Sequence, residues 1–435
     1  MPKTDTLEQL KPLILKNNQI DEDLFSQYDV KRGLRNKDGS GVIAGLTRVA
    51  SVVGAKSVDF HQVPMHGELK YRGVDIFALL DQLLGDQPFM FEKATFLLLT
   101  GKLPDAKELK QIKDYIVSQR ELPDFVLEHV IKGIPGTDLM NKLQTAICAL
   151  YAADSDPDSM DPFENVLKSL SIIAKLPAVI AYSYLCTFKK KPKLVKAPDH
   201  YSQAQAFLYL LHEGAEVTEI ESNILDLCLF LHAEHGGGNN STFAARVVTS
   251  TNSDIYSSLA AGVGSLKGPL HGAANQAVVK MVENIKSNVK KWDDRAELDS
   301  YLERIVNKEV NDKSGKIYGM GHAVYTKSDP RAIILKKEAQ KLAELKNRTA
   351  ELQLYLAIEE DGPEIFNRIK KSDKVIAPNV DFFSGFVYDC LGIPSQVYAP
   401  IFALARSAGW CAHRIEEMIS GKRIIRPGYK YIPIA

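Results

Sequence analysis

The sequence predicts an all-α fold with minor short strands. Apolar residues return at i, i+3, i+4 and i+7 through most of the chain, the period of a helix with one buried face. The two-residue alternation of a half-buried strand is confined to residues 41–72 and to the tail RIIRPGYKYIPI. At 435 residues, 45% apolar and 25% charged, the chain is expected to be a soluble globular protein with a substantial core and more than one domain.

From the N-terminus, MPKTDTLEQLKPLILKNNQIDEDLF carries several acids and no long apolar core, which fits neither a secretory signal nor an Arg-rich transit peptide. LPDAKELKQIKDYI then places Pro104 and Asp105 at a helix start. NKLQTAICALYAA, AQAFLYLLHEG, ESNILDLCLFLHAE, AVVKMVENIKS and DSYLERIVNK follow as amphipathic helices, and DPRAIILKKEAQKLAEL opens another with Asp329 and Pro330. The basic run from Lys189 to Pro198 reads as a solvated loop between helices; charge clustering is the only argument for phosphate binding there. No repeat of fixed period is present.

Lys+Arg and Asp+Glu both number 54, so no net field favours nucleic acid or an anionic membrane. Cys148, Cys186, Cys228, Cys390 and Cys411 lack C-x-x-C spacing and read as buried thiols of a reducing compartment. No window of roughly 18 uncharged apolar residues suggests a membrane span, and the expected location is the cytoplasm.

Three stretches contain polar residues that a helical core does not explain. In LHAEHGGGNNSTF, His232 and His235 share a helical face, so a zinc pair is conceivable, but the spacing misses the i, i+4 zincin arrangement. A hydrogen-bonded helix-end role suits His232; the glycines after His235 argue that backbone approaches a ligand. In GPLHGAANQ, His271 stands before a helix whose dipole favours a neutral ring, a good electrophile toward a carbonyl oxygen gaining charge. His322 in YGMGHAVYTKSDPR repeats the pattern. In APNVDFFSG, apolar neighbours raise the Asp381 pKa toward that of a competent base; the plainer reading is a helix N-cap. Arg331 and Arg406 lie on apolar helices and need anions, either internal acids or a carboxylate ligand. GVGSLKG departs from the dinucleotide fingerprint, and neither a P-loop nor a G-x-S-x-G elbow occurs.

Taken together, HAEHGGGNNS, LKGPLHGAANQAVVKM, GMGHAVYTKSDPR, PNVDFFSG and IFALARSAGW closely resemble, in order and spacing, the motifs of the citrate synthase family. The similarity extends to GELKYRGVDI, SIIAKLPAVIAYSYL and RIIRPGYKY, covering most of the chain after about residue 40. The resemblance implies an all-helical fold with a large domain (1–273 and 392–435) and a smaller mobile one (274–391). It implies an acyltransferase that condenses acetyl-CoA with oxaloacetate and water through an enol or enolate and citryl-CoA, with acetyl-CoA a substrate and no cofactor or metal. By the same resemblance His271 bonds the thioester oxygen, Asp381 removes a methyl proton and His322 polarises the ketone. His235, Arg331 and Arg406 bind oxaloacetate, together with Arg426 from the neighbouring subunit of a homodimer or dimer of dimers. Lys374, Tyr318, Gly319, Met320 and Gly321 match CoA-binding positions. The chain departs from the pattern at Ala273, a glycine in many bacterial members, and at Thr326, where some relatives carry a basic residue; Lys327 next to it would substitute.

Three alternatives stay open at this point. A 2-methylcitrate synthase would use propionyl-CoA, one methylene larger. A zinc hydrolase would be built on His232 and His235. An acyl-CoA or carboxylate sensor would keep the fold without the chemistry, against which the intact His271, His322 and Asp381 speak.

Overall fold

The structure, a computed structural model, describes residue 8 and residues 10–58, 61–85, 89–272 and 274–433; Ala273 lies outside them. The chain forms two compact units, Met1–Leu46 with Ile425–Ala435, and Thr47–Ile424.

The first unit contains helices α1 (Lys11–Asn18), which buries none of its residues, and α2 (Glu22–Gln27). Within it the Lys430 ammonium stands 4.6 Å over the Tyr28 ring. The tail, expected as a strand, is irregular from Gly421 to Pro433. Its alternating pattern has no ladder partner among the described residues, and Pro427 and Pro433 lack the N–H a ladder needs.

The second unit opens with an antiparallel sheet of β1 (Ala50–Val58), β2 (His61–Tyr71) and β3 (Val74–Asp75), within the residue 41–72 stretch that alternates and just beyond it. Helices follow: α3 (Ile76–Leu84), α4 (Met90–Thr100), α5 (Ala106–Ser118), α6 (Leu139–Leu150), α7 (Pro162–Phe188), α8 (Gln203–Leu211), α9 (Glu219–His232), α10 (Asn240–Thr249), α11 (Ile255–Lys267), α12 (Ala274–Asn288), α13 (Arg295–Val306), α14 (Pro330–Leu345), α15 (Thr349–Lys370), α16 (Val380–Cys390) and α17 (Tyr398–Ser420). Asp105 caps α5 through a capping box with Glu108, and Asp329 caps α14, as their sequences predict. GVGSLKG falls within and just after α11.

Helix α17 is the axis of the core. Its Trp410, Arg406 and Arg414 are buried, and α4, α7, α9, α10 and α11 pack around it. Helices α12 to α16 pack on one another. By length and composition α7 could cross a bilayer, although the sequence has no uncharged window of that size; 67% of its apolar stretch is buried inside the fold, the position of a core helix. Cys228, Cys390 and Cys411 are buried, whereas Cys186 is half-buried and Cys148 is exposed, against the expectation, because it lies on α6 opposite the face carrying Leu143, Ala146 and Ile147.

Candidate active site

The β1–β2 hairpin sets the position of His322. Its register slips between Val53 and Ala55, leaving Gly54 where an added Cβ would lie 2.2 Å from the Val324 carbonyl oxygen. The 324–328 segment therefore lies directly on the sheet. The Gly67 N–H donates to the Ser328 carbonyl (3.1 Å), and the Thr326 hydroxyl donates to the Gly54 and Met65 carbonyls. Held in this way, the N–H groups of Val324 (3.0 Å) and Tyr325 (3.1 Å) both donate to His322 Nδ1. A neutral ring accepting at Nδ1 carries its proton on Nε2, which makes Nε2 a donor. Burial and then the Arg331 charge push the His322 pKa down to about 4, so the ring is neutral at pH 7.

His235 meets His322 edge-on, ring centroids 5.0 Å apart at 83°. Helix α9 ends at His232, so the two histidines do not share a helix face as the sequence suggests. The His232 Nδ1–H donates to the Cys228 carbonyl (2.7 Å), the helix-end bond expected of it. Burial drives its pKa to about 3, and burial plus Arg331 and His322 hold His235 well below its ordinary value. Glu234 between them pairs with His413 (3.0 Å), accepts from the Gly236 N–H, and is followed outward by Arg246, 2.8 Å from His413 and 2.9 Å from Glu416. The Tyr71 hydroxyl, 3.1 Å from the Phe230 and Glu234 carbonyls, anchors the end of α9.

The two arginines resolve differently. Arg331 Nε (3.0 Å) and Nη2 (2.8 Å) form a bidentate pair with Asp329, which also takes the backbone N–H groups of Arg331 and Val380. Burial opposes the Arg331 charge, but Asp329 overcomes it and raises the pKa. Arg406 is 1% exposed and forms no ion pair among the described residues; Nε donates to the His232 carbonyl (2.8 Å), while Nη1 is buried without a partner. Its own pKa falls to about 10 through burial, leaving it charged.

Asp381 is in the first turn of α16 but does not cap it. Asn379 does, accepting from the Asp381 N–H at 3.0 Å, and the Asp381 carboxyl has no hydrogen-bond partner among the described residues. Burial, moderated by Arg331 and Arg406 and reinforced by Asp329, pushes its pKa up to about 6. His271 sits in the turn from α11 to α12, where Gly272 is required because a Cβ would lie 2.1 Å from the Leu266 carbonyl. Its Nε2 is 3.1 Å from the Ser241 hydroxyl, itself bonded by the Trp410 indole (3.2 Å). The sequence suggests a helix dipole as the cause of a low pKa; burial is the larger cause, then Arg406, bringing it to about 4. Arg406 is thus a common electrostatic neighbour of His232, His235, His271, His322 and Asp381.

Beside this centre, Tyr318, Gly319, Met320, Gly321 and Lys374 line one cavity of about 390 Å³. Its glycine loop is tied to the approach to α16: the Gly321 N–H donates to the Ala377 carbonyl (2.8 Å) and Asn379 N–H to the Gly319 carbonyl (2.9 Å). At Gly319, φ is +81° and a Cβ would lie 2.7 Å from the Phe382 ring. Lys327 lines a separate cavity of about 380 Å³ with Lys336 and Lys337. Arg426 belongs to the other unit and is exposed there.

The order of these parts along the chain matches a family model, "Citrate synthase, C-terminal domain", over residues 38–428. The chain belongs to the citrate synthase family. It is 35% identical to citrate synthase 2 of Bacillus subtilis over 398 residues, 90% of this chain and 94% of that one. It is 34% identical to citrate/2-methylcitrate synthase of the same organism over 367 residues, 84% and 90% of the two chains. Among solved structures, citrate synthase from Thermoplasma acidophilum, in a ternary complex with carboxymethyl coenzyme A and oxaloacetate, superposes with a TM-score of 0.75 at 29% identity, over 93% of this chain and 98% of that one. The all-helical citrate synthase fold is therefore the fold of this chain.

Sequence reasoning did not single out Tyr71, Glu234, Ser241, Tyr325, His413 or Trp410. Most pair with residues 30 to 179 positions away, which local periodicity does not register. Tyr325 alone carried a near signal, three residues after His322 in a glycine-led loop.

Proposed function

We propose that this member of the citrate synthase family condenses acetyl-CoA with oxaloacetate and water to give citrate and CoA, as an acyltransferase of central carbon metabolism. The observation that carries the reading is Arg406, a buried guanidinium that forms no ion pair among the described residues and leaves Nη1 unpaired, and that acts electrostatically on four histidines and on Asp381. Glu234 supports the Arg406 charge from a distance, but Nη1 still needs an acceptor, and a carboxylate of a small dicarboxylate supplies one.

In the proposed reaction oxaloacetate is held by His235, Arg331 and Arg406, with its ketone oxygen toward His322 Nε2–H. Acetyl-CoA lies along the cavity of Tyr318, Gly319, Met320, Gly321 and Lys374. Asp381 takes a methyl proton while His271 donates to the thioester oxygen, which together make the enol accessible. The enol carbon bonds to the ketone carbon, the thioester carbonyl re-forms as its oxygen gives its proton back toward His271, the ketone π pair moves to the ketone oxygen, and His322 delivers its Nε2 proton to that oxygen. Water then cleaves the citryl thioester and CoA leaves as the thiol. These steps use side chains alone, with acetyl-CoA as substrate rather than cofactor. We further propose closure of a small domain (274–391) on a large one (1–273 and 392–435), a homodimer in which Arg426 completes the neighbouring site, and a cytoplasmic location.

A second reading, 2-methylcitrate synthesis from propionyl-CoA, is favoured by the B. subtilis citrate/2-methylcitrate synthase relative. One added methylene shifts discrimination by only about 1–3 kcal/mol, so the two readings are separated by kinetics. The kcat/KM with acetyl-CoA should exceed that with propionyl-CoA; the reverse order would assign the second activity. A zinc hydrolase would lose activity to chelators and retain about one equivalent of zinc after dialysis.

A further inference from the structure

Tyr325 is 4% exposed, and its hydroxyl is buried without a hydrogen-bond partner. The ring is held on several sides. It stacks on His322 (centroids 4.8 Å apart, 29°) and meets His235 edge-on at 5.3 Å, with the Arg331 guanidinium carbon 5.7 Å from its centroid. Gly67 closes another side, where a Cβ would lie 2.6 Å from Tyr325 Cδ1. The phenol therefore cannot rotate away to find a partner, and a buried hydroxyl left unpaired costs free energy in the unliganded protein.

The neighbours show what kind of partner is missing. Arg331, Asp329, Tyr71 and Arg406 act electrostatically on the hydroxyl, and the titratable rings of His235 and His322 lie against its own. Asp329 already accepts from Arg331 Nε, Nη2 and N and from Val380 N, and Tyr71 is committed to the carbonyls at the end of α9. Arg406 Nη1 and His235 Nε2 are, like the Tyr325 hydroxyl, buried and unpaired. Burial keeps the phenol protonated far above neutral pH, so it is a donor.

We propose that the Tyr325 hydroxyl is a further substrate-binding group of this site, donating a hydrogen bond to a carboxylate of the C4 keto-dicarboxylate. A single anionic ligand then satisfies the phenol and Arg406 Nη1 together, while the ring keeps His322 in line with the ketone. This assignment rests on the reading of the pocket as the oxaloacetate site.

Tyr325→Phe tests it, since it keeps the ring and the backbone N–H to His322 and removes only the hydroxyl. Loss of a charge-assisted bond should raise the KM and the calorimetric Kd for oxaloacetate roughly ten- to hundredfold. The KM for acetyl-CoA should stay within about twofold of wild type, and the Tm of the unliganded protein should be unchanged or higher because an unpaired polar group is gone. A hydroxyl with a merely structural role would instead lower the Tm and leave the oxaloacetate Kd in place. An oxaloacetate Kd within about twofold of wild type would overturn the assignment for Tyr325 alone. Failure of the wild-type chain to bind oxaloacetate would overturn the pocket reading and this proposal with it.

Discussion

At the scale of single residues the site separates groups that titrate from groups that do not. Asp381 has a raised pKa of about 6, so it holds its proton below that pH and becomes a base above it. The sign for stability is the opposite: a folded state that prefers the protonated carboxyl loses that preference as pH rises through 6. His322 and His271, each at about 4, stay neutral across the same range and add no limb near neutrality. The kcat/KM profile should therefore show one acid limb with a midpoint about pH 6, measured between pH 4.5 and 8. A midpoint near 4, the ordinary carboxylate value, would show that the folded site does not raise the Asp381 pKa. At this scale the sequence was most informative where chemistry is local. The apolar neighbours of Asp381 predicted its raised pKa, while the plainer reading of it as the helix cap fell on the wrong residue, because Asn379 two positions earlier is the cap. For Arg331 the choice between internal acid and ligand was open because it turns on side-chain direction, which spacing does not contain.

At the scale of elements Asp329 links three parts. It caps α14, pairs bidentately with Arg331 and accepts from the Val380 N–H at the start of α16 (3.2 Å), which connects the His322 loop to the helix bearing Asp381. Removing one partner of a buried pair leaves an uncompensated charge, so Asp329→Asn should lose about 3–5 kcal/mol of stability. Urea unfolding monitored by circular dichroism measures it, and a loss below about 1 kcal/mol would show that solvent reaches the pair. The helices themselves were legible because their apolar spacing states which face is buried. The tail was misread because alternation alone does not supply a partner strand, whereas the short strands expected in residues 41–72 form because two alternating runs adjoin each other in sequence and pair as β1 and β2. That Gly54 and Gly67 exist to seat residues 324–328 was not legible, since the contact spans more than 250 positions.

At the scale of the whole molecule the proposed composite site makes a prediction about mixed oligomers. Chains carrying Arg426→Ala and chains carrying Asp381→Asn, mixed after reversible dissociation, should yield heterodimers with one working site assembled from both intact residues. Their activity should exceed the sum of the parents. No gain, with heterodimers demonstrated, would place Arg426 outside the neighbouring site.

The central claim is that this pocket makes a carbon–carbon bond using Asp381 as base, and release of the CoA thiol from acetyl-CoA tests it most directly. Wild-type protein should release CoA one-for-one with citrate and only when oxaloacetate is present. Asp381→Asn should slow that release by roughly two to four orders of magnitude, the usual contribution of a positioned base, while oxaloacetate binding stays intact. CoA release that proceeds equally without oxaloacetate, or an Asp381→Asn rate within about tenfold of wild type, would contradict the account.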